Sequence, residues 1–196
     1  ISDGLIQDWK DAAQSGGVCA PPICDSSGNL NVSGTKTLGP LKIPGNVTFD
    51  NNATLIVKGT LWVQGNMSLS NNCSINLASS YGSLSGVIVT NGTVDISNNC
   101  TFAGSGTSGS FIMILSDKND PPGKVMDISN NSSGVIYYAA RGRIHLSNNA
   151  AAKQITAYGL DLDNNATVTY DSGLASTNFS GGPSGGYEVN QWHEVQ

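Results

Sequence analysis

Charge is what this chain has least of. Only 12% of its 196 residues are Asp, Glu, Lys or Arg, where about a quarter is usual in a soluble domain. Its nine Lys and Arg are scattered and the net charge is −5, so there is no basic patch to dock on nucleic acid or an anionic membrane surface. Histidine is reduced to His145 and His193, far apart in the chain, and no His–Cys cluster with metal-ligand spacing exists. No GxSxG sits on a strand–turn–helix pattern, which removes the nucleophile elbow. No apolar run approaches the roughly 18 residues of a membrane-spanning helix. No secretory leader is visible and the chain starts at Ile1, so an upstream segment is expected to have been removed.

Helical sequence is scarce too. Only residues 1–15 read as helix, with Ser2 as the N-cap, Leu5, Ile6 and Trp9 on one face, and Gly16-Gly17 as the stop.

What is abundant is a repeat. Val47-Thr48-Phe49-Asp50-Asn51-Asn52-Ala53-Thr54-Leu55 returns at 67–75, 94–102, 126–134, 144–152 and 160–168. The pattern is apolar, polar, apolar, Ser or Asp, Asn, Asn, two small residues, then usually apolar. The first Asn of each pair falls at Asn51, Asn71, Asn98, Asn130, Asn148 and Asn164, in steps of 20, 27, 32, 18 and 16 residues. A period near twenty with alternating polarity predicts a solenoid that adds one coil per repeat. Asn tolerates left-handed backbone angles, so the pair marks a corner. Stacked about 4.8 Å apart, the Asn side chains would form ladders. Phe49, Leu69, Ile96, Ile128, Leu146 and Leu162 would form an apolar inner column. Ala53, Cys73, Cys100, Ser132, Ala150 and Ala166 would form a column of small residues.

The predicted fold is all-β: one right-handed parallel β-helix of about six to seven coils with an N-terminal capping α-helix. Residues 1–17 are the capping helix, with Trp9 over the first coil. Residues 18–46 are a cysteine loop and an irregular first coil. Residues 47–170 are the regular coils, and 171–196 form a C-terminal cap with Trp192 over the last one. Insertions at 79–85, 104–110 and 116–124 account for the longer steps. Cys19 and Cys24 bracket Ala-Pro-Pro-Ile and are expected to form a disulfide. Cys73 and Cys100 share a repeat position, and are either bridged or packed as two small buried residues. A disulfide at either site would indicate an oxidising compartment.

The polar second position of each unit points outward, and places Asp95, Asp127, His145 and Asp161 on one exposed wall. Clustered carboxylates on a β-helix can act as acid and base on a polysaccharide, and neighbouring acids can hold Ca²⁺. A solvated wall is the competing reading. No other metal or cofactor is indicated. The 116–124 segment, with Asp117, Lys118, Asp120 and Lys124, is the candidate binding loop, since loops on rigid scaffolds often carry function. Arg141 and Arg143 are expected to pair with wall aspartates. Of Tyr137 and Tyr138, alternation lets only one face out. The outward column Thr54, Ser74, Thr101, Ser133, Ala151, Thr167 is too mixed for an ice-binding array. The sequons at Asn46, Asn52, Asn91 and Asn165 follow from the repeat rather than marking glycosylation.

The runs GTLWVQGNMSLSNN, SLSGVIVTNGTVDISNN and ATVTYDSGL, with the ending Trp192-His193-Glu194-Val195, resemble a group of bacterial surface β-helix domains, mostly uncharacterised. These follow a PilX-type N-terminal membrane helix like that of type IV pilus assembly proteins. The resemblance covers roughly 35–195. It implies a non-enzymatic extracellular structural or adhesive module, envelope-anchored or pilus-associated, with cell-surface or pilus proteins or glycans as partners. It supplies no catalytic residues. A polysaccharide-binding or polysaccharide-cleaving β-helix acting through the Asp/His wall is the alternative.

Overall fold

The computed structural model of the chain describes residues 1–171 together with 173, 174, 177 and 179. The expected cover by Trp192 lies outside the described residues. A helix, α1 (Asp3–Ser15), is followed by short strands that come in threes. The first coil contains β1 (Leu30–Val32), β2 (Thr35–Leu38) and β3 (Leu41–Ile43), and the second β4 (Val47–Phe49), β5 (Thr54–Val57) and β6 (Leu61–Val63). The third has β7 (Met67–Leu69), β8 (Ser74–Leu77) and β9 (Gly86–Thr90), and the fourth β10 (Val94–Ile96), β11 (Thr101–Ala103) and β12 (Ile112–Ser116). Beyond them the strands run round the corners without a break: β13 (Asp120–Ile128), β14 (Ser133–Leu146), β15 (Ala151–Leu162) and the short β16 (Thr167–Val168).

Every strand pairing is parallel, and the chain is a three-faced parallel β-helix. The first face stacks β1, β4, β7, β10 and the C-terminal parts of β13, β14 and β15. The second stacks β2, β5, β8, β11, the starts of β14 and β15, and β16. The third stacks β3, β6, β9, β12 and the middles of β14 and β15. Seven strands on the first face agree with six to seven coils. The insertions stack on one another as well: Ser110 Oγ donates to the Leu84 carbonyl at 2.8 Å and Phe111 N to Ser85 Oγ at 2.9 Å.

The Asn pairs form the corner between the first and second faces. Asn52 and both members of every later pair have positive φ, between 47° and 64°, a conformation that costs most other residues about 1–2 kcal/mol. Amide bonds then run from coil to coil. Asn71, Asn98, Asn130, Asn148 and Asn164 each donate from Nδ2 to Oδ1 of the preceding first Asn, at 2.9–3.1 Å. The second members form a parallel ladder from Asn52 to Asn149 at 3.1–3.3 Å. Just inside the corner the small column is fully buried from Ala53 to Ala150. Cys73 and Cys100 are bridged within it, with Cα atoms 4.5 Å apart and 27 residues between them. Of the two readings the sequence allows, the disulfide is the one adopted, because parallel register puts both sulfurs on the same inward column of adjacent coils.

A second corner, between the third and first faces, also uses asparagine. Oδ1 of Asn29, Asn46 and Asn66 accepts the backbone N–H of Asn46, Asn66 and Thr93, at 2.8, 2.8 and 2.9 Å. Gly65 and Gly92 stack beside it, and a Cβ at Gly92 would overlap Asn66 Oδ1 and the Gly65 carbonyl.

The helix is not an end cap. It contacts β3, β6 and β9 across the third face. Its Ile6 and Trp9 pack with Val87, Val89, Met113, Leu115, Ile136 and Tyr138, the outward residues of that face. The inward residues Ile88, Ile112, Ile114 and Tyr137 belong to the solenoid core. An apolar outer surface on this face needs a cover, and α1 supplies it. The exposed first coil is covered instead by the Cys19–Cys24 loop, whose bridge has Cα atoms 5.7 Å apart. Both cysteines are buried in the solenoid core. Cys19 N donates to the Lys42 carbonyl at 2.7 Å and Lys42 N to the Gly17 carbonyl at 3.0 Å, which closes the free edge of β3.

Two outcomes follow from this architecture. Asn98→Ala should lower stability in urea unfolding by about 2 kcal/mol, from backbone strain plus exposed amide bonds, and Asn98→Gly should recover roughly half of that. Equal losses in the two variants would show that φ is not the cause. Replacing Cys73 and Cys100 together by Ala should cost about 3 kcal/mol, the scale set by closing a loop of this length in the unfolded chain.

Candidate functional site

The first face places the outward positions of the repeat in one file. Register runs Asn31, Thr48, Ser68, Asp95, Asp127, His145, Asp161. The four candidate wall residues are therefore consecutive rungs. Alternation along each strand turns Val94, Ile96, Met126, Ile128, Ile144 and Leu146 inward, all buried, and leaves the charged residue between each pair facing solvent.

Most of the wall acids have cationic partners. Asp127 takes an ion pair from Lys124 on one oxygen and lies 2.8 Å from His145 Nδ1 on the other. Arg143 grips Asp161 with two nitrogens, Nε at 3.1 Å and a closer NH2. His145 Nε2 is 2.8 Å from Oδ2 of Asp163, at the next corner. Partial burial pushes the Asp127 carboxyl up, but hydrogen bonds from Lys124 and His145 outweigh it and hold the group below the usual carboxylate range. The Arg143 hydrogen bond does the same for Asp161. Burial works against charge on His145, yet its bonds to Asp127 and Asp163 raise its pKa above the ordinary value. Asp95 behaves oppositely: burial, then the neighbouring Asp127 charge, raise its pKa. Among the described residues no group of three or more His, Cys, Asp or Glu is arranged to hold a metal ion.

The candidate loop is not one site. Residues 120–128 are strand β13, paired with β14, so little free loop remains. Asp117 turns to α1, with Lys10 Nζ at 2.6 Å and Arg141 NH1 at 3.7 Å. Lys118 and Asp120 form an exposed pair at 3.7 Å, and Lys124 joins the wall. The two arginines also separate. Arg143 pairs with the wall as expected, whereas Arg141 reaches over to Asp3 and Asp117 and fastens the helix. Of the two adjacent tyrosines, Tyr137 points into the core and Tyr138 outward under α1, its hydroxyl donating to the Ile1 carbonyl at 3.2 Å. A cavity of about 450 Å³ opens not on the wall but between α1 and the third face, lined by Ile1, Leu5, Trp9, Met113, Tyr138 and Leu174.

Two residues that matter went unsingled. Asp163 stands where the repeat more often has Ser, as at Ser70, Ser97, Ser129 and Ser147, and that departure one turn beyond His145 was the available signal. Lys10, almost fully buried against Asp117 and 5.7 Å above the Trp62 ring, left no pattern to read.

Asp117→Ala should cost about 3 kcal/mol in chemical unfolding, since it strands a buried ammonium. Lys118→Ala should change stability by less than about 0.5 kcal/mol. Equal effects would make 117–120 a loop after all. Comparison with known protein families, with curated proteins and with solved structures finds no match for this chain.

Proposed function

We propose that the chain is a non-enzymatic extracellular module, envelope-anchored or pilus-associated, that acts as a stiff structural and adhesive rod. The observation that carries this reading is the use made of the wall acids. Lys124 pairs with Asp127 within one strand, while His145 on Asp127 and Asp163 and Arg143 on Asp161 tie coils together. A carboxylate pair working on a glycosidic bond needs one acid to give its proton and the other free to act as nucleophile or base. Six coil steps of about 4.8 Å give a rod roughly 30 Å long, braced by two amide ladders and two disulfides. Two structural disulfides belong to an oxidising compartment rather than a reducing cytosol. No helix among the described residues is long and apolar enough to cross a membrane, so anchoring falls to another segment or a partner.

The polysaccharide reading has one observation in its favour. Asp95 has a raised pKa and, among the described residues, no hydrogen bond or ion pair to hold it, unlike the rest of the wall. Co-sedimentation of the purified chain with insoluble polysaccharides and whole cell walls, with and without calcium, separates the two. The rod reading expects selective retention on cell walls or glycans without release of sugar. Turnover of a polyuronide that is abolished by Asp95→Asn or Asp127→Asn would replace it with the enzymatic reading.

A further inference from the structure

His145 stands between carboxylates from two other coils. Its Nδ1 is 2.8 Å from Asp127 Oδ1 on the coil before, and its Nε2 is 2.8 Å from Asp163 Oδ2 on the coil after. An ionised carboxylate only accepts hydrogen bonds, and a neutral imidazole has a single N–H. Both contacts therefore hold together only when both ring nitrogens carry protons. The surroundings fit a cation at this point. Lys124 on β13 occupies the other Asp127 oxygen, and Arg143, two residues back on β14, is committed to Asp161, the rung directly beside His145. Asp95 on β10 lies two rungs away. Four carboxylates thus face two permanent cations, and the imidazolium reduces the imbalance.

We propose that His145 is a proton-operated staple that fastens the last coil. Charged, it joins the coils of β13 and β15 to its own. Neutral, it keeps one contact and releases the other. The contact released is Asp163, whose side chain is 63% exposed against 31% for Asp127, so its carboxylate regains water at least cost. The segment it frees is held from one side only, by the β14 ladder, Arg143 on Asp161 and Asn148 on Asn164. Among the described residues no strand stacks beyond β15 on the first or third face, and Leu160, Leu162 and Val168 are exposed at 43%, 47% and 40%.

The direction of the pH response follows. The group binds its proton more tightly folded than unfolded. Its stabilisation is complete below the unfolded value, about 6.5, and is lost as pH rises through the folded one. Asp127 and Asp161, held low, contribute above the ordinary carboxylate range and lose their contribution as pH falls. The last coil is tightest in mildly acidic solution and loosens on the alkaline side of the His145 titration.

The test is nitrogen-15 NMR titration of the imidazoles in the full chain, with His193→Gln to assign His145. It is paired with amide hydrogen exchange over 160–168 on both sides of the titration, corrected for intrinsic rates. The staple requires both His145 nitrogens protonated at pH 6, a pKa above 6.5 that drops in Asp163→Asn, and protection in 160–168 that falls as His145 deprotonates. In His145→Gln the same amides should be weakly protected at both pH values. A His145 pKa at or below 6.5, or last-coil protection unchanged across its titration, overturns the proposal. The wild-type measurements decide the matter even if a variant does not fold.

Discussion

The fold depends on a corner that asparagine can turn. From the third coil on, the chain swings from the first face to the second through two residues, and both take left-handed backbone. Asn adopts it at low cost, and its side chain then supplies an acceptor for the coil above and a donor for the coil below. The corner thus also sets the register: a coil that slipped by one residue would break both amide ladders and turn its apolar residues to solvent. The small buried column just behind the corner follows from the same turn, which leaves room for Ala, Ser or a cystine and nothing larger.

Register in turn decides what the outward residues can do. On the first face it stacks charges of mixed sign, and they neutralise one another within and between coils. On the third face it stacks Val87, Val89, Met113, Leu115 and Ile136 into an apolar surface that water would penalise. The helix covers that strip, held at its start by Arg141 on Asp3 and midway by Lys10 on Asp117. The two lateral surfaces therefore differ in kind. One is an open polar wall and the other is largely covered by α1, so of these two it is the wall that is open to a surface partner.

Much of this was legible because a solenoid writes its geometry as a period. The Asn pairs, the inner column from Phe49 to Leu146 and the outward order Asp95, Asp127, His145, Asp161 all follow from aligning six segments. The second corner was harder to see, since Asn46 and Asn66 work through single backbone hydrogen bonds and lie outside the repeated nine residues. The unbroken apolar runs at 87–89 and 111–115 were the sign of strands covered on both faces. They form the seat of α1, whereas the helix was expected over the first coil.

The sequence by itself determined the coil, because stacking requires each repeat to satisfy the same local rules and those rules are spelled in residue types. It determined, through Cys19 and Cys24, a loop closed within six residues. Tertiary structure alone decided which charges meet. Lys10 and Asp117 are 107 positions apart, and His145 finds Asp163 rather than its register neighbour because Arg143 already holds Asp161. Ion pairs between distant elements depend on competition among side chains in space, and a one-dimensional pattern carries no record of that competition.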